Sequence, residues 1–324
     1  MLRPLISLVA GLSVSASSVA GPPAEAPLHK VASLKITILS TMLADQGMGE
    51  WGFSALVEFD GRRILFDTGL RPETVLQNAR DLGIDLSSVT DVVLSHHHGD
   101  HTGGLLALRR ELSQKSPAAL SRVHVAPGIF LSRRLPSSDD EANPTIALKA
   151  AMEATGAVFV EHRKPEEIFP GVWLTGPVPR PNPERYWGRP ASIVTAGGLV
   201  PDSIPEDMSL LVDTDKGIVV VAGCGHAGTV NTIEYARHLL GPEPVYAIIG
   251  GLHLFAAPDS ALAWTATRLH SAQLGYLLGA HCTGIEAVFR IRELAALDRK
   301  RAVVAAVGSS FDASKGIDPL SLAQ

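Results

Sequence analysis

Apolar and polar positions along this chain alternate in short blocks whose period changes often. Leu34-Lys35-Ile36-Thr37-Ile38-Leu39 alternates with period two, as a half-buried strand does. Segments 53–59 and 63–66 flank Asp60-Gly61, a dipeptide that favours the turn of a tight hairpin. Pro72 opens a helical period that runs to about 82, with the proline in the first turn. Val92-Val93-Leu94 predicts a buried strand ending at Ser95, and 105–112 a helix. Further strands are predicted at 122–126, 171–175, 208–212, 217–222, 245–249, 274–278 and 302–307. Helices are predicted at 143–154, 229–239 and 258–271. Segment 177–205 is dense in Pro and Gly without a clear period, and reads as a long loop over a site. Two β-rich halves with interleaved helices suit two packed sheets flanked by helices, in one domain over 34–310 with a tail at 311–324.

The ends of the chain change this picture little. Arg3, an apolar core over 5–14 and the small residues Ser18-Val19-Ala20 read as an export signal cleaved before Gly21. Segment 21–33, which begins Gly-Pro-Pro, reads as a linker. No other stretch is long and apolar enough for a bilayer, so the mature chain is expected to be periplasmic or secreted, with no stable membrane span.

Of 324 residues, 46% are hydrophobic and 19% charged, ample for one large two-sheet domain. The 28 basic and 33 acidic residues leave a net charge of -5 and no basic footprint for nucleic acid. Gly47-Met48-Gly49-Glu50-Trp51-Gly52 fits G-x-G-x-x-G, but a strand follows it. A dinucleotide site needs a helix N-terminus there, so that reading is rejected. The two cysteines, Cys224 and Cys282, lie in the turns Gly223-Cys224-Gly225-His226 and His281-Cys282-Thr283-Gly284. Metal-proximal thiols and a disulfide both stay open.

Candidate chemistry concentrates in Ser95-His96-His97-His98-Gly99-Asp100-His101-Thr102-Gly103-Gly104, of form H-x-H-x-D-H, on a strand-to-helix loop. Imidazole and carboxylate suit zinc and other borderline divalent metals. His96 and His98 alternate on extended backbone and point the same way. Asp100 and His101 follow the turn at Gly99 and can serve a second ion. His97 points away from them. Three later turns repeat one pattern, an apolar strand, small residues and then a histidine, and supply His226, His253 and His281. His29, His124, His162, His238 and His270 lack such a setting and read as structural.

The H-x-H-x-D-H loop resembles the signature of the metallo-β-lactamase superfamily. That resemblance implies a four-layer αββα sandwich with one or two metal ions at the edge between the sheets. The turns GCGHAG (223–228), GGLHL (250–254) and HCTG (281–284), with EWGFS (50–54), LFDTG (65–69) and LTGPVPR (174–180), are similar to one branch. That branch is the 7,8-dihydropterin-6-yl-methyl-4-(β-D-ribofuranosyl)aminobenzene 5'-phosphate synthases. Trp51 stands where a histidine is common in it, and Pro177 where an acidic residue is common. The resemblance implies His96 and His98 on one metal, Asp100 and His101 on the second, and His281 on the second as well. It implies that Asp67 orients a ligating histidine from behind. The superfamily's bridging Asp is absent after Gly223. His226 is favoured as a ligand and Cys224 as its neighbour, with His253 a further ligand or an acid that touches substrate.

The chemistry then expected is a divalent metal, most readily zinc with manganese or iron as options, activating water against an ester, phosphoester or lactone-like bond. Asp100 would orient that nucleophile or shuttle its proton. The substrate would be a small molecule, and Arg180 and Arg185 are candidates to pair with an anionic group on it or else solvated loop residues. Two other classes stay open: a pterin-related synthase or metal-dependent oxygenase, and a metal-binding protein without turnover.

Overall fold

The computed structural model describes residues 28–184 and 190–322. The proposed export signal, the first part of the linker and Arg185 lie outside the described residues.

Two large sheets form the centre. The first has eight strands in the order Gly316–Asp318, Ser310–Asp312, Leu34–Ser40, Ser54–Phe59, Arg62–Phe66, Asp91–Val93, Arg122–Val125, Val158–Glu161. The second has seven, in the order Ala302–Val304, Tyr276–Gly279, Val245–Gly250, Gly217–Ala222, Leu210–Thr214, Val172–Leu174, Glu166–Phe169. Strands buried on both faces read as continuous apolar runs because successive side chains enter different cores. Val219 and Val221 join Ile36, Ile38 and Phe66 in the core between the sheets. Ile218, Val220 and Ala222 point the other way, onto Ile233 of helix Thr229–Leu240 and Leu262 of helix Asp259–Ser271. Leu56, Leu65 and Val92 pack outward against Val75 and Leu108 of helices Thr74–Asp81 and Leu105–Leu112. Three stacked cores make four layers, the αββα sandwich.

Local signals acted as read. Asp60 and Gly61 both have positive φ, 42° and 74°, and close the hairpin. Asn143 caps helix Pro144–Glu153, accepting from Thr145 N–H, with Pro144 at the first position. Three expectations need correcting, and two strands have no counterpart among them. Segment 177–205 is not wholly structureless: Ser192–Thr195 and Gly198–Pro201 form a hairpin that pairs with Arg133–Arg134 in a third, three-stranded sheet. Residues 311–324 are not simply a tail, since Phe311 is fully buried and 310–318 extend the first sheet by two strands. The last part of the linker is tied down by Val31, which bridges to Thr214, and by Lys30, 3.0 Å from Asp213. The edge strands Val158–Glu161 and Glu166–Phe169 were not foreseen, because their short polar-apolar runs carry little period. No helix among the described residues is long and apolar enough to cross a membrane.

Candidate metal centre

The motif turns all sit where strands end. Asp67 follows Arg62–Phe66, the 95–101 loop follows Asp91–Val93, Cys224 and His226 follow Gly217–Ala222, His253 follows Val245–Gly250, and His281 follows Tyr276–Gly279. These strands are parallel neighbours within their sheets, with Phe66 beside Val93 and Ala222 beside Gly250 beside Gly279. Their carboxyl ends therefore open along one edge, where ligand sites of such sheets gather. Asp67, His253 and His281 hold positive φ of 56°, 49° and 47°. Each costs about 1–2 kcal/mol and persists only because the surrounding turns enforce it.

Two adjacent donor groups result. Donor atoms of His96, His98 and His226 all lie within 4.8 Å of one another, as do those of Asp100, His101 and His281. The His96 and His101 rings are 4.2 Å apart, so the two groups touch. Burial, reinforced by the neighbouring imidazoles, holds His96, His98 and His226 well below the ordinary histidine range, which keeps their lone pairs available. Burial opposes the charge on Asp100, but His101 and His281 outweigh it and hold its carboxyl well below the usual range. Burial likewise opposes a charged His101, yet Asp67 and Asp100 push it up to about 9, so this corner favours positive charge.

Hydrogen bonds fix the tautomers. Asp67 Oδ2 accepts from Ser95 Oγ and from His101 Nδ1, each at 2.7 Å, and Asp67 Oδ1 accepts from Ser95 N–H at 2.8 Å. His101 therefore aims Nε2 into the site. The Ser95 hydroxyl has spent its proton on Asp67, so it accepts from His96 Nδ1 at 2.9 Å, and His96 Nε2 also faces inward. His281 Nε2 lies 3.3 Å from Asp100 Oδ2, yet neither ring nitrogen of the buried His281 makes a well-formed hydrogen bond, and buried Nδ1 of His253 has no partner. Unspent imidazole donors beside a carboxylate and thiols fit a divalent metal.

The cysteines are buried and free, with sulfurs 3.2 Å apart, and Cys224 Sγ is 3.1 Å from His101 Nε2. His97 is turned away, its Nδ1 2.6 Å from Glu206 Oε1, as expected. Glu206 and Asp202 are joined to the buried Arg133, which donates to both. Sequence reasoning missed that network, because its members lie far apart along the chain with no motif around them. Arg180 donates to the Ile204 carbonyl at 2.6 Å, a contact that ties the loop.

A cleft of about 940 Å³ opens above the donors, lined by His98, Asp100, His226 and His253 below and by Trp51, Leu70, Leu135 and Phe255 at the mouth. Trp51 meets Phe255 edge to face at 5.7 Å and covers His281 at 4.8 Å. Trp51 and Phe255 are 44% and 52% exposed, unusual for large rings without a surface role. Their exposure leaves no trace in periodicity.

The comparisons agree with this geometry. The family model of the metallo-beta-lactamase superfamily matches residues 52–275. A 7,8-dihydropterin-6-methyl-4-(beta-D-ribofuranosyl)-aminobenzene-5'-phosphate synthase of Methanocaldococcus jannaschii is 30% identical over 272 residues, 80% of this chain and 91% of its own. A solved metal-dependent hydrolase of the beta-lactamase superfamily superposes with TM-score 0.69 at 25% identity, over 86% of this chain and 98% of that one. The fold is shared with zinc-bound PqqB from Methylobacterium extorquens, at TM-score 0.52 and 14% identity, over 85% of this chain and 99% of that one. From the match over most of its length, and from donors held at one edge between two sheets, the chain belongs to the metallo-β-lactamase superfamily.

Proposed function

We propose that the chain is a metal-dependent enzyme that transfers or joins groups on an aromatic, phosphate-bearing small molecule, as a pterin-related synthase does. The observation that carries this is the pairing of two donor groups at the cleft floor with aromatic rings at its mouth. The similarity to the archaeal synthase supports it over the plain hydrolysis expected from the motif. A bound divalent ion supplies a polarised phosphoryl oxygen or a water whose pKa falls from 15.7 towards about 7.

The chain's own groups do the rest. Trp51 and Phe255 grip a flat ring by stacking, worth about 1 kcal/mol per contact beyond burial. Asp100, ionised and at the cleft floor, would help hold the metal and orient the attacking group. His253, which lines the cleft, would pass a proton to the departing group. The Glu206 carboxylate holds His97 and, through it, the backbone of the 96–98 loop.

Hydrolysis of an ester, phosphoester or lactone is the second reading, favoured by the similarity to the metal-dependent hydrolase. Zinc-loaded protein should join a dihydropterin-methyl donor to an arylamine phosphate faster than it cleaves a panel of esters, phosphodiesters and lactones. Turnover of the panel alone would replace the synthase reading with the hydrolase one. The same proposal places the mature chain in the periplasm or outside the cell, on Arg3, the apolar 5–14 segment and the Ser18-Val19-Ala20 site.

A further inference from the structure

The superfamily's usual bridging carboxylate has no counterpart after Gly223, and what stands in its place is a thiol. Cys224 Sγ shares 4.8 Å donor groups with His96 and His101, with His226 and His253, and with His281 and Cys282. It is thus within reach of donors from both metal groups at once, which neither His226 nor His253 is. The turn that carries it cannot retreat. A Cβ on Gly223 would lie 2.1 Å from Ser95 Oγ and 2.5 Å from Asp67 Oδ2, so the backbone is pressed against the residues that orient His96 and His101. Gly225 at φ 61° then turns the chain back to present His226. A second observation points to a ligand here: His281, 1% exposed, has no hydrogen bond at either ring nitrogen, and one of those nitrogens lies within 4.8 Å of Cys224 Sγ.

We propose that Cys224 is the bridging ligand of a two-metal centre, its thiolate shared between the His96/His98/His226 group and the Asp100/His101/His281 group. The inference rests on the two-metal reading above. A thiolate carries enough lone pairs to hold two ions through one atom. It also biases the site by softness, towards zinc, cobalt or ferrous iron and away from manganese and magnesium. Metal binding would displace the single Cys224 thiol proton once, to solvent, and the resulting thiolate would be shared by both ions, so loading needs no oxidant. Cys282, 3.2 Å from Cys224 and without a place between the two groups, is the neighbour and not the bridge.

Cobalt(II) is the probe. Wild-type protein, reduced and titrated with cobalt, should take two equivalents and develop a near-ultraviolet thiolate-to-cobalt band. Cys224→Ser should lose the band and fall to one tightly held equivalent, while Cys282→Ser keeps both. Cys224→Asp should regain the second equivalent without the band, and it decides the matter if the serine variant does not fold. A band that survives in Cys224→Ser or Cys224→Asp, or two tight equivalents in Cys224→Ser, overturns the bridge. So does wild-type protein whose two cysteines give no free thiol when unfolded without reductant. Two equivalents in wild type with no band would remove the bridge and leave the proposed function standing. Failure to bind cobalt at all would remove both.

Discussion

Asp67 shows what a single side chain decides. Its carboxylate takes three hydrogen bonds from Ser95 and His101 and so sets which nitrogen each imidazole turns inward. Asp67→Asn replaces one acceptor oxygen by an N–H donor, which faces either Ser95 or His101 the wrong way. The expected result is a 10- to 100-fold weaker metal affinity in competition with a chelator, with the fold intact by circular dichroism. Unchanged affinity would remove Asp67 from this role. His98→Ala is the harsher test. It deletes a donor from the first group without touching the core, so elemental analysis should find at least one ion lost and turnover nearly abolished.

At the scale of elements, the tight turn after Gly217–Ala222 is the sensitive joint. Gly223→Ala must push Ser95 and Asp67 aside, an overpacking that costs about 1–3 kcal/mol. Urea denaturation should show that loss together with weaker metal binding, whereas Gly61→Ala, with open space around it, should leave metal binding alone. A second joint lies between strands. Asp91 accepts from Arg122 at 2.8 Å and from His124 at 2.9 Å. Burial opposes its charge, but His124 and Arg122 outweigh burial and hold its carboxyl well below the usual range. A carboxyl depressed by folding contributes stability above the unfolded value of about 3.9, lost as pH falls through the folded value. Asp91→Asn should therefore cost about 2 kcal/mol at neutral pH, less than a fully buried pair because Arg122 is half exposed, and nearly nothing in strong acid. A penalty that does not shrink with acid would refute the charge as its cause. The same contrast explains what the sequence reveals. Most strands and helices and the H-x-H-x-D-H loop depend on neighbours in the chain and are legible, while the edge strands Val158–Glu161 and Glu166–Phe169 and helix Ile285–Leu294 are not. The docking of the 192–201 hairpin onto Arg133–Arg134, the Arg133–Glu206–His97 network and the place of Cys224 between two groups depend on partners dozens of residues away. Spacing does not encode those.

The whole molecule joins a chemistry whose parts come from both sheets. If the chain is exported as proposed, N-terminal sequencing of the mature protein should begin at or near Gly21. An intact Met1 in the soluble cytoplasmic fraction would defeat that proposal. A ligand that binds only the folded state raises stability by mass action, so zinc should raise Tm in proportion to the logarithm of its free concentration, and His98→Ala should flatten that dependence.

The strand ends that form the centre also set the order of assembly. His101 and Cys224 are 123 residues apart along the chain, and His281 N–H reaches Thr41 across 240. The His96/His98/His226 group and the Asp100/His101/His281 group each draw donors from both halves, so their completion must wait until both sheets have formed and stacked, the slowest class of contact for a folding chain. The ion is thus a reporter of the last closure: a cobalt signal in a refolding experiment should trail the far-ultraviolet signal of the sheets. A chain stalled with its halves apart would lack both two-half groups however well each half had folded.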